Sequence, residues 1–592
     1  MIKSYKKLLF IILIFFSSYC AVSIGFSWDE GFLIKQGKST ANYLLSLGLI
    51  EPEKYFRSEF YSPIYYALRY LFVQAIPKIY QFEANHLVNL FFSLATIIGI
   101  KKISEIFFNK EIGKLVFLIL FFYPVFFGHM GFNSKDTIIA FCNIWIFYYI
   151  IKYLFNRKKK FIYYIAVISA VGTGLNLFFL GSLIPIILFF LIELFLIKKF
   201  NKKELNKKEF IISLIKGFLI FYFLLVLFWV DTHHNIVTKP LMFFYEWAFS
   251  DMWRGYPHIL VNGEYYLYND IPKSYLITNL IYKSPEYFLV SYIMFFYLLL
   301  FSRKFFLKKI IFFNYKITLL ILMILYPFIL LFFTPFSIYD GLRHVLWMLP
   351  YLCILPALAI YYLIKNFKDL NIKIISLGFF CLVVFFMYNF LMITPYQYTY
   401  LNILNGKKEN HYKRFENDYW GGSLKELVKK IDLNKNEQIT LAFCGMSKVT
   451  PKYYLKKNGF TNFRIGNQEN SKYVIMTNRS TVDKNNNGSI EEHEWAEMQV
   501  EFERKRLEDE DAKRDSQRKM AWFSLVGMLV YPAGVFLSSL IGLDTAADLL
   551  ASMANIYYVS IAALVGAYFG FTNLNNKVGG GSPGFLPDKY LE

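Results

Sequence analysis

Charge is what this sequence has least of. Only 18% of its 592 residues are charged, whereas 56% are hydrophobic and 20% aromatic; soluble domains carry about 25% charged residues. That balance excludes an ordinary soluble domain and points to a polytopic membrane protein. Cysteine is also scarce. Of the five, Cys20, Cys142, Cys353 and Cys381 lie in hydrophobic runs and Cys444 lies in a polar stretch. No pair has metal-ligand spacing, so neither a structural disulfide nor a zinc site is expected. Acidic residues are outnumbered, 43 against 64 Lys and Arg, for a formal net charge of +21. Such an excess would suit nucleic acid, but the basic residues cluster in short loops between hydrophobic runs, the pattern that orients a membrane protein. No nucleic-acid partner is expected. A good small-x-small cleavage site after the first hydrophobic run is missing too, so the start reads as an uncleaved helix and not as a signal peptide.

What is there instead is a series of apolar runs near the length that crosses a bilayer. They occupy 8–26, 86–100, 115–127, 137–155, 161–180, 183–197, 210–230, 287–301, 317–333, 345–364 and 372–393, about eleven spans at ~20 residues each. With the N-terminus inside, the inner loops hold 101–102, 157–160, 198–208, 303–309 and 365–373, every one basic; the outer loops hold Asp29, Asp136, Asp231, Asp270 and Asp340. This alternation is the positive-inside pattern, and it collects the acidic chemistry on the outer face. The expected fold is an all-α polytopic membrane domain over 1–393.

From Thr394 the chain turns polar and stays outside. A helix-like run at 423–431 and strand-like runs at 438–443 and 473–476 predict a small soluble α/β domain over 394–479. The composition then changes, with Ala, Glu, Met and Arg replacing Ile, Phe, Asn and Tyr. Residues 480–520 read as a calcium loop and a charged helix, 521–572 as a two-helix membrane hairpin and 573–592 as a flexible Gly-rich tail. Within the first piece Asp483, Asn485, Asn487, Ser489, Glu491 and Glu494 fall at EF-hand ligand positions, with Gly488 at the turn and Ile490 at the apolar position, so calcium is expected there. Arg504, Arg506, Arg514 and Lys519 would lie outside, against the positive-inside pattern, which suggests a fusion of two independent modules.

Three outer stretches carry residues suited to chemistry. Ser27-Trp28-Asp29-Glu30-Gly31-Phe32 follows the first run directly; two carboxylates beside hydrocarbon need a reason, the plain one being a helix end capped by acids. Gly128-His129-Met130-Gly131-Phe132-Asn133-Ser134-Lys135-Asp136 opens a later span, where Asn133 or Ser134 can cap the helix and Asp136 complement its dipole. Tyr339-Asp340-Gly341-Leu342-Arg343-His344 ends an outer loop; Arg343 suits bidentate phosphate binding and His344 a further hydrogen bond, although arginine also snorkels to headgroups. His233 and His234 are adjacent, point in different directions and lack a third ligand, so they read as interfacial polar residues and not as a metal site.

A first membrane helix followed at once by an Asp-Glu pair, with these later motifs in the same order and on the same face, resembles the GT-C membrane glycosyltransferases over about residues 1–479. They include the protein O-mannosyltransferases, the lipid A aminoarabinose transferases and the Rgt-type bacterial enzymes. The C-terminal piece is similar to small membrane proteins of marine phages. The GT-C resemblance implies a glycosyltransferase of the bacterial inner membrane that moves a sugar from a polyprenyl phosphate to a hydroxyl of a lipid, glycan or protein on the periplasmic face. Such a reaction needs a base for the hydroxyl and positive charge for the departing phosphate. The resemblance assigns Asp29 as the base, Glu30 as its neighbour or an acceptor-orienting group, and Asp136 as a second acid. It assigns Lys135, Arg343 and His344 to the donor phosphate. Two other readings compete: a transporter, which would show charged or broken segments near the bilayer midplane, and a phage-type calcium-binding protein fused to a membrane domain.

Overall fold

Apolar runs in lipid have one economical way to satisfy their backbone, the α-helix, and each of the eleven runs falls mostly on helical residues. The structure, a computed structural model, describes residues 2–53, 58–200, 205–249, 258–267, 271–333, 338–430, 438–444, 449–466, 471–476 and separate helical residues within 524–562. The expected calcium loop, the charged helix that follows it and the tail lie outside the described residues.

The first half is built from α1 (Ile2–Ser23), α2 (Trp28–Leu45), α3 (Ile64–Val73), α4 (Gln81–Phe107), α5 (Lys110–Phe121), α6 (Pro124–His129), α7 (Asp136–Asn156) and α8 (Lys160–Leu175). Local chemistry sets their ends. The Glu30 carboxylate accepts the Ser27 N–H at 2.7 Å where α2 begins, and Asn109 accepts from the Glu111 and Ile112 amides where α5 begins. Pro124 lacks an N–H and its ring blocks helix continuation. The apolar run at 115–127 is therefore divided between α5 and α6.

Among the described residues, five helices are long and apolar enough to cross a membrane: Lys78–Phe107, Asp136–Asn156, Lys207–Phe228, Phe313–Phe333 and Leu370–Met392. The bent pair Tyr275–Lys283 and Glu286–Phe301, which meet at 113°, makes a sixth if it is one span. The remaining apolar runs form shorter helices, among them Lys7–Ser23, Lys160–Leu175, Ile184–Ile197 and Leu349–Lys365. Burial separates the centre from the rim. In α7, 67% of the apolar window is buried, whereas in Leu370–Met392 only 11% is. The exposed Ile374, Leu377 and Phe380 on the latter form the kind of apolar face that lipid covers.

Strand Ile439–Cys444 lies between Phe463–Ile465 and Tyr473–Met476 in a parallel sheet, with helices Leu424–Lys430 and Val449–Lys457. Leu424, Val428, Leu441, Leu455 and Ile475 make its core, and Phe26 from the α1–α2 turn joins them. Two backbone contacts fix this docking: Phe26 N–H donates to the Tyr454 hydroxyl at 2.8 Å, and Gly25 N–H donates to the Gly422 carbonyl at 3.1 Å. The turn that leads into Asp29 is thereby anchored to this domain. By contacts the chain divides into Met1–Thr481 and Val482–Glu592. In the second unit Leu550–Ala562 is an apolar helix, and Tyr531 stacks on Tyr557 with ring centroids 4.3 Å apart.

Candidate active site

Arg343 is the centre of the site. It follows Asp340 and Gly341, two consecutive residues with left-handed backbone (φ 56° and 66°). For a non-glycine residue that conformation is strained and persists only where surroundings impose it. The turn places Asp340 Oδ2 3.2 Å from Arg343 Nη1, and both side chains are buried, 1% and 8% exposed. Asp29, at the first turn of α2, reaches the same Nη1 at 3.5 Å with its side chain 46% exposed. Asp136, at the first turn of α7, stands 3.7 Å from Nε with its side chain 10% exposed. Three carboxyl groups from distant parts of the sequence therefore converge on one guanidinium. Burial works against the arginine's charge, but Asp340 foremost, with Asp136 and Asp29, more than restores it and raises the guanidinium pKa.

The remaining groups of the expected phosphate set are also here. Arg343 Nη2 donates to His344 Nε2 at 3.2 Å, so the neutral imidazole carries its hydrogen on Nδ1. Burial, with Arg343 and Lys135 nearby, pushes this imidazole well below its ordinary range. Lys135 lies over the Tyr61 ring at 5.0 Å and within 3.4 Å of its hydroxyl. Asn133 organises the opening of α7. Its Oδ1 accepts the Lys135 and Asp136 amides at 3.2 and 2.9 Å, and its Nδ2 donates to Asp136 Oδ2 at 3.1 Å. The N-cap position is Lys135 and not Asn133 or Ser134, but the Asn133 side chain, two residues earlier, still satisfies the Asp136 amide that opens the helix while it holds the Asp136 carboxylate.

Glu30 goes elsewhere. Its carboxylate is fully buried and faces His86 Nε2 at 3.0 Å, while His86 Nδ1 lies 2.7 Å from the Ala21 carbonyl. Both ring nitrogens meet acceptors, so one proton lies between Nε2 and the carboxylate. His233 hydrogen-bonds Tyr43 at 3.1 Å and the Val226 carbonyl at 3.0 Å. Among the described residues no group of three or more His, Cys, Asp and Glu side chains is arranged to hold a metal.

No protein-family model matches the chain, and no curated protein does. Its fold is similar to that of ArnT from Cupriavidus metallidurans in the apo state, at 11% identity and a TM-score of 0.46, over 79% of this chain and 87% of that one. It is similar also to ArnT from the same organism bound to undecaprenyl phosphate, at 10% identity and a TM-score of 0.48 over the same shares.

Several residues that sequence reasoning did not assign complete the site. Asp340 is the shortest ionic partner of Arg343, and its signal was its place three residues before the arginine. Trp420 covers the guanidinium at 4.7 Å and Tyr339 lies 5.2 Å from it, positions suited to cation–π attraction. Beneath Trp420, His129 donates through Nε2 to the Tyr419 hydroxyl at 2.7 Å and accepts from Asn133 at 3.2 Å. Burial first, then Arg343 and Lys283, pushes its pKa well below the ordinary value. The imidazole is neutral, as that hydrogen-bond pattern requires.

Proposed function

We propose that the protein is an integral-membrane glycosyltransferase using a polyprenyl-phosphate-linked sugar. In this reading the sugar passes to a hydroxyl of a lipid, glycan or protein on the periplasmic face of a bacterial inner membrane. The observation that carries the proposal is a buried arginine with a half-exposed aspartate at 3.5 Å, where α2 and α7 begin. Arg343 supplies charge for a departing phosphate, with Lys135 and His344 beside it, and water-poor surroundings strengthen that interaction. Asp29 takes the hydroxyl proton as the new glycosidic bond forms and the anomeric carbon–phosphate oxygen bond breaks. Asp136 holds the guanidinium from its other edge.

The bent pair Tyr275–Lys283 and Glu286–Phe301 favours a second reading, since broken spans are a mark of transporters. One assay separates the two. Purified protein in detergent, given a polyprenyl-phosphate sugar and acceptor extract, should transfer the sugar. Asp29→Asn should lower the rate by about 10²–10⁴-fold, and Arg343→Ala should lower both rate and donor affinity. Absence of transfer by the folded wild-type protein with every polyprenyl donor tried would remove the enzyme reading and leave the transporter.

A further inference from the structure

The three carboxyl groups around Arg343 are not equivalent. Asp340 is 1% exposed and belongs to the turn that carries the arginine. Asp136 is 10% exposed and held by Asn133 as well as by its helix. Asp29 alone stands toward solvent, at 46% exposure, and its 3.5 Å contact with Nη1 is long for a charge-assisted hydrogen bond. Arg343 itself is nearly covered. Trp420 and Tyr339 lie near it, His344 takes an Nη2 hydrogen, and Asp136 stands beside Nε. Of the arginine's three carboxylate partners, Asp29 is the one that an anion arriving from solvent meets first.

We infer that Asp29 is the resident counter-ion of the phosphate position, and that donor binding exchanges it for the donor's phosphate. The inference rests on the function proposed above. Its physical basis is the charge balance at one guanidinium. A phosphodiester brought beside three carboxyl groups would meet a surplus of negative charge, and like charges in a buried site are strongly disfavoured. Removing the weakest-held carboxylate relieves that conflict and opens the outer edge of Arg343 to a bidentate phosphate. The released Asp29 is then a free hydrogen-bond acceptor beside the sugar, where the acceptor hydroxyl must be held. Before exchange its Oδ2 is committed to the guanidinium, so the base becomes available only when donor is in place. After transfer, bond changes balance within the ternary complex. The hydroxyl proton resides on Asp29, the sugar on the acceptor oxygen, and the electron pair of the broken bond on the polyprenyl phosphate. Asp29 returns to Arg343 as that product leaves and the proton passes to solvent.

The exchange makes a prediction that a base without this role does not. Binding of polyprenyl phosphate, without a sugar, is measured in detergent for wild type, Asp29→Asn and Arg343→Ala, each matched for thermal stability. Loss of a partly exposed competing carboxylate should tighten binding by about 2- to 5-fold in Asp29→Asn, even though that variant transfers sugar about 10²–10⁴-fold more slowly. Asp29→Glu, which restores the competitor, should return affinity toward wild type. Arg343→Ala should lose binding in either background. Unchanged or weaker binding in Asp29→Asn, with the wild type binding normally, overturns the exchange and leaves the proposed function standing. Failure of both wild type and Asp29→Asn to bind polyprenyl phosphate overturns the function, and the exchange with it.

Discussion

Glu30 lies one residue from Asp29, yet its carboxylate points into the protein while Asp29 points to the mouth of the site. Neighbouring positions on a helix diverge by about 100°, so one acid reaches Arg343 and the other reaches His86. Glu30 also receives the Ser27 amide. Its replacement should therefore affect the fold more than the chemistry. Glu30→Gln keeps the shape but weakens two hydrogen bonds to a charged group, at a cost of about 1.5–3 kcal/mol. The expected outcome is a lower unfolding temperature with near-wild-type turnover in the protein that remains folded. His129 and His344 add a pH dependence. Both imidazoles are held well below their ordinary value of 6.5 in the folded protein, so below that pH the unfolded chain binds protons that the folded chain does not. Stability is fully present above pH 6.5 and falls as the pH drops, by up to about 1.4 kcal/mol per pH unit for each ring. Thermal unfolding followed from pH 7.5 to pH 5 should show this loss, and a His129→Gln variant should show a shallower one. A flat profile would mean that these rings are not neutral.

The elements meet at places where the sequence leaves no room for a side chain. Gly128, in α6, is packed so closely on the 397–399 turn that an added Cβ would stand 2.1 Å from the Tyr398 amide nitrogen. That contact connects the membrane helices to the segment that delivers Tyr419 and Trp420. Gly128→Ala must push the two apart, and overpacking of this kind costs about 1–3 kcal/mol. Because Trp420 rides on the displaced segment, donor affinity should fall together with stability; an unchanged affinity would show that the Trp420 cover is dispensable. The helices themselves were legible in the apolar runs, and so were the strands at Ile439–Cys444 and Tyr473–Met476. Strand Phe463–Ile465 and helix Val449–Lys457 were not. Both are short, and Lys-rich 449–457 shows little apolar periodicity. The site was legible as residue types only. Arg343 and Asp29 are 314 residues apart, and no local pattern encodes such a pairing.

At the scale of the molecule, Asp29, Asp136 and Asp340, far apart in the sequence, gather around Arg343. The run-by-run reading needs about eleven crossings at ~20 residues each, but among the described residues five helices reach spanning length unaided, and the bent pair makes a sixth if it is one span. Prolines account for part of the difference: Pro124 divides one run, and Pro350 and Pro356 lie in the first turns of two short consecutive helices. Shorter helices can still contribute to crossing when packed among longer ones, because broken segments buried in protein find other partners for their backbone. Side, therefore, must be measured and not counted. Lys429 is exposed on helix Leu424–Lys430, in the part that docks on the α1–α2 turn, so it reports the side on which Asp29 stands. A Lys429→Cys variant, made in a background without Cys381 and Cys444, should react with an impermeant thiol reagent in intact spheroplasts. A Lys309→Cys variant, at the end of the basic helix Arg303–Lys309, should react only after permeabilisation. The opposite labelling would place the site in the cytoplasm and overturn the periplasmic assignment, whatever the number of crossings.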